Sequence, residues 1–448
     1  SAFGTMLLVL SALSALAAFG FSRSGVISLG VTGALAYLAA CIAMPPSLMK
    51  FIRIAAESHG EAWTVATLTS IAFLGLVWTL LLPWLHRHVR DLHLRFFVLF
   101  TLSSLLIVWM FQFLGRSIIP QPGRYKVELS LGLAVSCVFA LRPLWKRCTR
   151  PVQLAILALL VTLAAEQTVD QRHWAKAVLR EGNLAETIEH RAAVWMDAHL
   201  DPDARVMLPG SMAQWLNAFS RRPQWGGGAW STAPNPELQR ALRVVFEEQG
   251  SIEGSLTWFR AFAVQGVVIS GNHSPEFWKP FADKTKYEGK LPVLWHEDDT
   301  SLYGLPLHSK SLAHAVPEAV RSTRQWTSVK RYVAALDTER LPGLTFKWAG
   351  RNRAQINGEV LPGEAVSIQI THHPGWSATV NGKPVPLQRD GIGLVWLRPS
   401  CNGPCAIQLS YNGGIELILC RIVSLVALAC LSVLLVWGCR TDVGIRFL

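Results

Sequence analysis

The chain has 448 residues, 51% of them hydrophobic and only 16% charged, with a formal net charge of +12 and a mean hydropathy of +0.30. A soluble chain of this length carries about 25% charged residues, so the deficit excludes an ordinary soluble protein and points to lipid. Nor does the positive charge read as a nucleic-acid surface: no basic block is interleaved with aromatics, and Lys and Arg gather beside apolar runs, as membrane-flanking charge does.

Crossing a bilayer as a helix takes about 20 apolar residues. In chain order the candidates are 5–21, 26–44, 65–85, 96–114, 129–141 and 152–165, then 417–437 after a long polar stretch. The fifth and sixth are short and must borrow flanking residues. The chain begins Ser-Ala-Phe-Gly inside an apolar run, with a second span close behind. That start reads as a piece lacking its natural N-terminal part, not as a signal peptide. The turn 86–95 (HRHVRDLHLR) carries three Arg, 142–150 (RPLWKRCTR) three Arg and one Lys, and the tail adds Arg440 and Arg446. Placing these on the cytoplasmic side leaves 45–63, 115–128 and the polar stretch outside. The expected fold is a polytopic α-helical membrane protein. A transmembrane bundle covers 1–165, an extracytoplasmic mixed α/β region 166–335 and a small β-sandwich 336–415. A final transmembrane helix with a short basic tail covers 416–448.

Within the polar stretch, 174–200 is rich in Ala, Glu and Arg at helical spacing. Residues 205–208 and 264–270 read as short buried strands. PNPELQRALRVVFEEQG has Pro near a helix start and Gly at its end. From about 340 onward short alternating runs (FKWAG, SIQITHH, SATVNG, LVWLRP, AIQLSY) are punctuated by Asn357-Gly358, Asn381-Gly382 and Asn412-Gly413. Asn-Gly between such runs predicts hairpins. Cys401 and Cys405, in CNGPC, predict a disulfide if this region is exported.

Four sets of residues are candidates for chemistry. The loop PQPGRYKVE places Arg124, Tyr125, Lys126 and Glu128 at headgroup level. There Arg grips a phosphate bidentately and Lys adds a point charge, although both side chains also snorkel to an interface in proteins with no site. Glu57, His59 and Glu61 (ESHGEAW) have the composition of a general base or a divalent-metal site, and equally of a solvated loop before a helix. The stretch LPGSMAQWLNAFSRRPQWGGGAW concentrates Trp215, Asn217, Arg221, Arg222, Gln224, Trp225 and Trp230. Indole faces stack on sugars while amide and guanidinium groups bond hydroxyls, so this reads as a saccharide surface or as a Trp-rich packed loop. His86, His88 and His93 lack the Cys or carboxylate partners that would complete a metal site. No Walker A loop, GxSxG elbow, HExxH or CxxC pair occurs.

Three stretches together, PQPGRYKVE, RVMLPGSMAQWLNAFSRRPQWGGG and the run from HHPGWSATVNG to QLSYNGG, carry a resemblance. The chain resembles the C-terminal half of bacterial YfhO-like, GT-C-type (6-pyruvoyl-tetrahydropterin-synthase-related) membrane proteins. The resemblance implies location in the bacterial cytoplasmic membrane. It also implies a glycosyltransferase using a polyprenyl-phosphate sugar and a cell-envelope glycan or lipid acceptor on the outer face. The acidic residue of such enzymes lies in a first outer loop absent here, so no Asp is assigned as base, and Glu57 and Glu61 are the nearest candidates. The alternative expectation is a non-catalytic envelope protein whose exported domain binds glycan or a partner protein. A divalent metal is an open expectation. A transporter fits less well, because few charges lie within the spans.

Overall fold

The structure is a computed structural model. It describes residues 2–49, 65–116, 118–119, 122–179, 183–210, 212–226, 235–247, 252–274, 280–338 and 343–440. The chain divides into two compact units, one comprising 1–181 with 421–448, the other 182–420.

The first unit is helical. Its described helices are α1 (Ala2–Phe19), α2 (Arg23–Ala40), α3 (Val65–His88), α4 (Leu92–Leu114), α5 (Lys126–Arg147) and α6 (Arg150–Val178). To these is added the part of Gly414–Arg440 from Arg421 onward. Among the described residues six helices are long and apolar enough to cross a membrane, and α1 contributes a shorter apolar stretch. The fifth and sixth candidate spans grow at both ends, from 129–141 to Lys126–Arg147 and from 152–165 to Arg150–Val178. Their flanks (KVE, RPLWKR, AEQTVDQRHWAKAV) are polar but contain good helix formers, so the hydrogen-bond ladder continues beyond the apolar stretch. Asp91 starts α4 by accepting from the amides of His93 and Leu94 at 2.9 and 3.2 Å. Gly115, at φ 61°, ends it.

Helix α4 is the packed centre of this unit. Its buried face runs through Leu99, Phe100, Thr101, Ser103, Ser104, Ile107, Val108 and Met110. Small and hydroxyl residues join it to its neighbours, as expected where apolar surface alone does not drive association. Trp78 of α3 donates its indole N–H to Ser103 at 2.9 Å, and Thr101 shares a hydrogen bond with Ser136 of α5 at 3.1 Å. Gly132 of α5 lies so close to α4 that an added Cβ would sit 2.6 Å from the Thr101 hydroxyl.

The second unit holds helices α7 (Ile188–His199), α8 (Met212–Phe219), α9 (Pro236–Glu247), α10 (Ile252–Ala261) and α11 (Trp326–Asp337). Strands β1 (Arg205–Met207), β2 (Val264–Ile269), β3 (Val293–Glu297) and β4 (Thr300–Gly304) form a mixed sheet in the order β1-β2-β4-β3, with β1 and β2 parallel. The remaining strands are β5 (Ala313–Pro317), β6 (Thr345–Trp348), β7 (Arg353–Val360), β8 (Glu364–Thr371), β9 (Trp376–Val380), β10 (Lys383–Val385), β11 (Leu387–Arg389), β12 (Leu394–Leu397) and β13 (Gly403–Tyr411). They build two antiparallel sheets, β10-β9-β13-β7-β6 and β11-β12-β8-β5. One core, including Ile356, Ile368, Val380, Val395 and Ile407, brings residues of both sheets together as a sandwich.

Three features differ from the sequence expectation. First, Asn381-Gly382 does make the expected two-residue hairpin between β9 and β10, with φ of 48° and 79°. Asn357-Gly358 instead lies inside β7, opposite Ala406 and Cys405. Gly is needed there because an added Cβ would be 3.2 Å from the Leu344 Cα. Asn412-Gly413 leads directly into Gly414–Arg440. Second, β5 comes from upstream of the expected sandwich and pairs with β8. Third, Ser367 and Gln369, which alternation would turn to water, are buried. Their sheet carries a second layer on its outer face, where Ala365, Leu394 and Trp396 join a core with Trp258, Phe259 and Tyr332. Ser367 bonds the Tyr332 hydroxyl at 2.9 Å, and Gln369 donates to the carbonyls of Arg260 and Ala261. Helical layer and sandwich therefore share this sheet, with a separate core on each of its faces. Cys401 and Cys405 are disulfide-bonded, with Cα atoms 5.9 Å apart.

Candidate functional site

The elbow between α4 and α5 is a one-turn 3₁₀ helix, Pro122–Tyr125, leading straight into α5. Tyr125 fixes it. Its side chain is fully buried in a cluster with Leu10, Phe100, Ile107, Val108, Met110 and Ile118. With that ring anchored inward, Arg124 and Lys126 on either side of it are exposed. Tyr125 is also the residue before α5, and its side chain makes no cap hydrogen bond. The positive end of the helix dipole at this turn therefore lies beside two exposed cations, an arrangement suited to an anion.

Beneath the elbow is a polar level within the helix pair. The close approach of Gly132 to Thr101 sets the register, so one turn nearer the elbow Glu128 and Ser104 stand at the same height. Ser104 is fully buried. Its hydroxyl and Glu128 Oε2 are both buried without a hydrogen-bond partner among the described residues. Burying polar atoms unpaired costs roughly 1–3 kcal/mol each, and packing alone does not call for it. Glu128 was legible as part of the PQPGRYKVE set. Ser104 was not, since a Ser inside an apolar span has no distinguishing pattern.

Among the described residues, the segment 208–230 does not come together as one saccharide surface. Trp225 pairs through its backbone with Val206 and is buried in the core, edge-on to Phe259 at 5.5 Å between ring centroids. Arg222 is also buried. Its guanidinium donates to the carbonyls of Met196 and Leu200 at 2.7 and 3.2 Å, closing the C-terminal end of α7, with Asp197 3.5 Å away. Gln224 ties α8 down through the Ala213 carbonyl and the Asn217 side chain. Trp215, Asn217 and Arg221 remain exposed, with Trp215 parallel to Phe219 at 6.3 Å. Arg221 and Phe219 border an open recess of about 410 Å³. The segment thus divides into core anchors (Arg222, Gln224, Trp225) and a small ledge (Trp215, Asn217, Arg221). Trp230 lies outside the described residues, as do Glu57, His59 and Glu61.

The three histidines near the basic turn do not converge. His86 bonds the Ala17 carbonyl at 2.8 Å and meets Arg95 at 3.1 Å, and Arg95 also donates to the His86 carbonyl. His88 bonds the Trp84 carbonyl, and His93 sits 3.5 Å from Asp91. They and Arg95 serve helix ends, and among the described residues no group of three His, Cys, Asp or Glu side chains could hold a metal.

No family model matches the chain, and neither the curated proteins nor the solved structures searched give a match.

Proposed function

We propose that the chain is the C-terminal part of a GT-C-type membrane glycosyltransferase. In this reading it takes sugar from a polyprenyl-phosphate donor and passes it to a cell-envelope acceptor on the outer face of a bacterial cytoplasmic membrane. The observation that carries the proposal is the elbow, where buried Tyr125 presents Arg124 and Lys126 at the start of a membrane-length helix. The sequence resemblance to YfhO-like proteins and the basic turns at the opposite helix ends support the same orientation.

In this chemistry the acceptor hydroxyl oxygen bonds to the sugar's anomeric carbon while the bond from that carbon to the phosphate oxygen breaks. The electron pair leaves on the phosphate, and the hydroxyl proton passes to a carboxylate. Arg124, Lys126 and the helix N-terminus offset the growing phosphate charge, and Glu57 and Glu61 are the proposed proton acceptors.

Arg124→Ala in the full-length protein, assayed with a polyprenyl-phosphate sugar, is expected to lower transfer about 100-fold or more while leaving the melting temperature unchanged. Unchanged transfer in a folded variant would overturn the reading. A second reading, a non-catalytic envelope protein binding glycan or a partner through its exported unit, is favoured by the exposed Trp215–Asn217–Arg221 ledge.

A further inference from the structure

A cavity of about 280 Å³ opens among α9, α10 and α11, lined by Arg240, Val244, Glu253, Gly254, Trp258, Trp326 and Lys330. Each helix contributes residues from one face: Arg240 and Val244 from α9, Gly254 and Trp258 from α10, Trp326 and Lys330 from α11, each pair four apart. The rings of Trp258 and Trp326 lie 5.8 Å apart at 46°. Lys330 Nζ stands 5.6 Å from the Trp326 ring centre and 2.7 Å from Glu253 Oε1. Arg240 is exposed beside them, one of its nitrogens held by the Arg324 carbonyl.

Trp258 is only 1% exposed, and its indole N–H has no hydrogen-bond partner among the described residues. Trp225 and Trp396 share that condition, but of the three it is Trp258 that lines the cavity. A buried tryptophan ordinarily finds a partner for this group; here Trp258 backs the cavity as a packed wall.

The partly exposed Trp326 ring and the paired charges at the rim match a ligand with an apolar C–H face and hydroxyl edges. A purely apolar ligand would leave Arg240, Glu253 and Lys330 unused, whereas a phosphate would meet the Glu253 carboxylate. At about 280 Å³ the volume lies just below the usual range of ligand sites, about 300 to 1,000 Å³, so it suits a single ring. We propose that this cavity binds one pyranose residue of a saccharide against the partly exposed ring of Trp326, which Trp258 backs, with Glu253, Lys330 and Arg240 bonding its hydroxyls. None of these residues belongs to the Arg124 elbow or to the Trp215 ledge, so the site stands whether or not the proposed transferase activity does.

The test is saturation-transfer NMR on the full chain in nanodiscs, free of sugar-headed detergents. The probes are methyl glycosides of hexoses, N-acetylhexosamines and hexuronates. At least one glycoside is expected to bind with a Kd of about 1 mM. Trp326→Ala and Lys330→Met should each weaken it about tenfold or more, and Arg124→Ala should leave it unchanged. Should Trp326→Ala lower the melting temperature, Lys330→Met, an exposed position, decides. Saturation transfer to none of the glycosides would overturn the proposal. So would undiminished binding in the folded Lys330→Met protein, or displacement of the glycosides by inorganic phosphate.

Discussion

The helical unit and the 182–420 unit use the same residue types to opposite ends. In the helical unit large apolar side chains face outward. Within the candidate spans, none of α2 and none of α6 is buried, against 39% of α4. What is buried there is a narrow seam along α4, where Leu99, Phe100, Ile107 and Tyr125 pack beside small or hydroxylated residues such as Ala17, Ala18, Ser14, Ser103 and Ser104. In the 182–420 unit the buried side chains are large and aromatic: Trp258, Trp396, Tyr287, Tyr332, Phe259. Water expels apolar surface, whereas lipid does not. An exposed large hydrophobic residue is therefore ordinary in the helical unit and an exception in the other.

The largest expected effect separates core from surface within one short segment. Trp225→Ala removes a buried indole and should destabilise the 182–420 unit by about 3–5 kcal/mol, lowering its melting temperature by roughly 10 °C. Trp215→Ala, ten residues earlier and 46% exposed, should change stability by less than about 0.5 kcal/mol. Differential scanning fluorimetry of both variants decides, and equal losses would erase the division drawn between them.

Next in size is a pH effect confined to the 182–420 unit. Asp390 is buried, accepting from the amides of Ile392 and Leu394 and from the Ser322 hydroxyl at 3.1, 2.6 and 2.7 Å. Burial outweighs these bonds and the nearby Arg321, and pushes its carboxyl up from 3.8 to about 6. Between about pH 4 and 6 the folded chain therefore holds a proton that the unfolded chain has lost. Asp390's contribution to stability accordingly falls as pH rises through that window, by about 2–3 kcal/mol. Asp390→Asn should flatten that part of the melting-temperature profile against pH. An identical slope in wild type and variant would count against the assignment.

The helical unit should answer to size instead. Gly132→Leu pushes α5 away from Thr101 and should cost about 1–3 kcal/mol, read as a lower melting temperature in detergent. Gly132→Ala should cost less, because the first obstacle is a hydroxyl that can turn and the α4 backbone lies 3.4 Å away. The smallest stability effect belongs to Arg124→Ala, within about 0.5 kcal/mol, although it carries the largest expected effect on transfer.

How much could be read beforehand differs between the units for the same reason. Apolar length shows the spans directly, because a bilayer requires only composition over about 20 residues. The ends of α5 and α6 were hidden because polar helix formers extend a helix without adding hydropathy. In the 182–420 unit the tight turn at Asn381-Gly382 was legible, as a local demand for positive φ. The same dipeptide at 357–358 misled, because its Gly answers a neighbouring chain, Leu344, and not its own turn. Arg222 and Trp225 looked like ligand-facing groups until the end of α7 and the aromatic core were seen around them. Trp258, Trp326, Glu253 and Lys330 carried no signal at all, since they come from two helices separated by more than sixty residues.

By itself the sequence determined where the chain can enter lipid, that a large polar unit interrupts those runs, and which local turns need glycine, because each is set by composition or by a few adjacent residues. Only the tertiary structure decided that β5 belongs to the sandwich, that Ser367 and Gln369 are inside, that Tyr125 anchors while Arg124 is exposed, and that two tryptophans share a cavity. Each of these depends on which distant surface covers a residue, and burial by a distant surface leaves no mark on the residue's own neighbourhood in the chain.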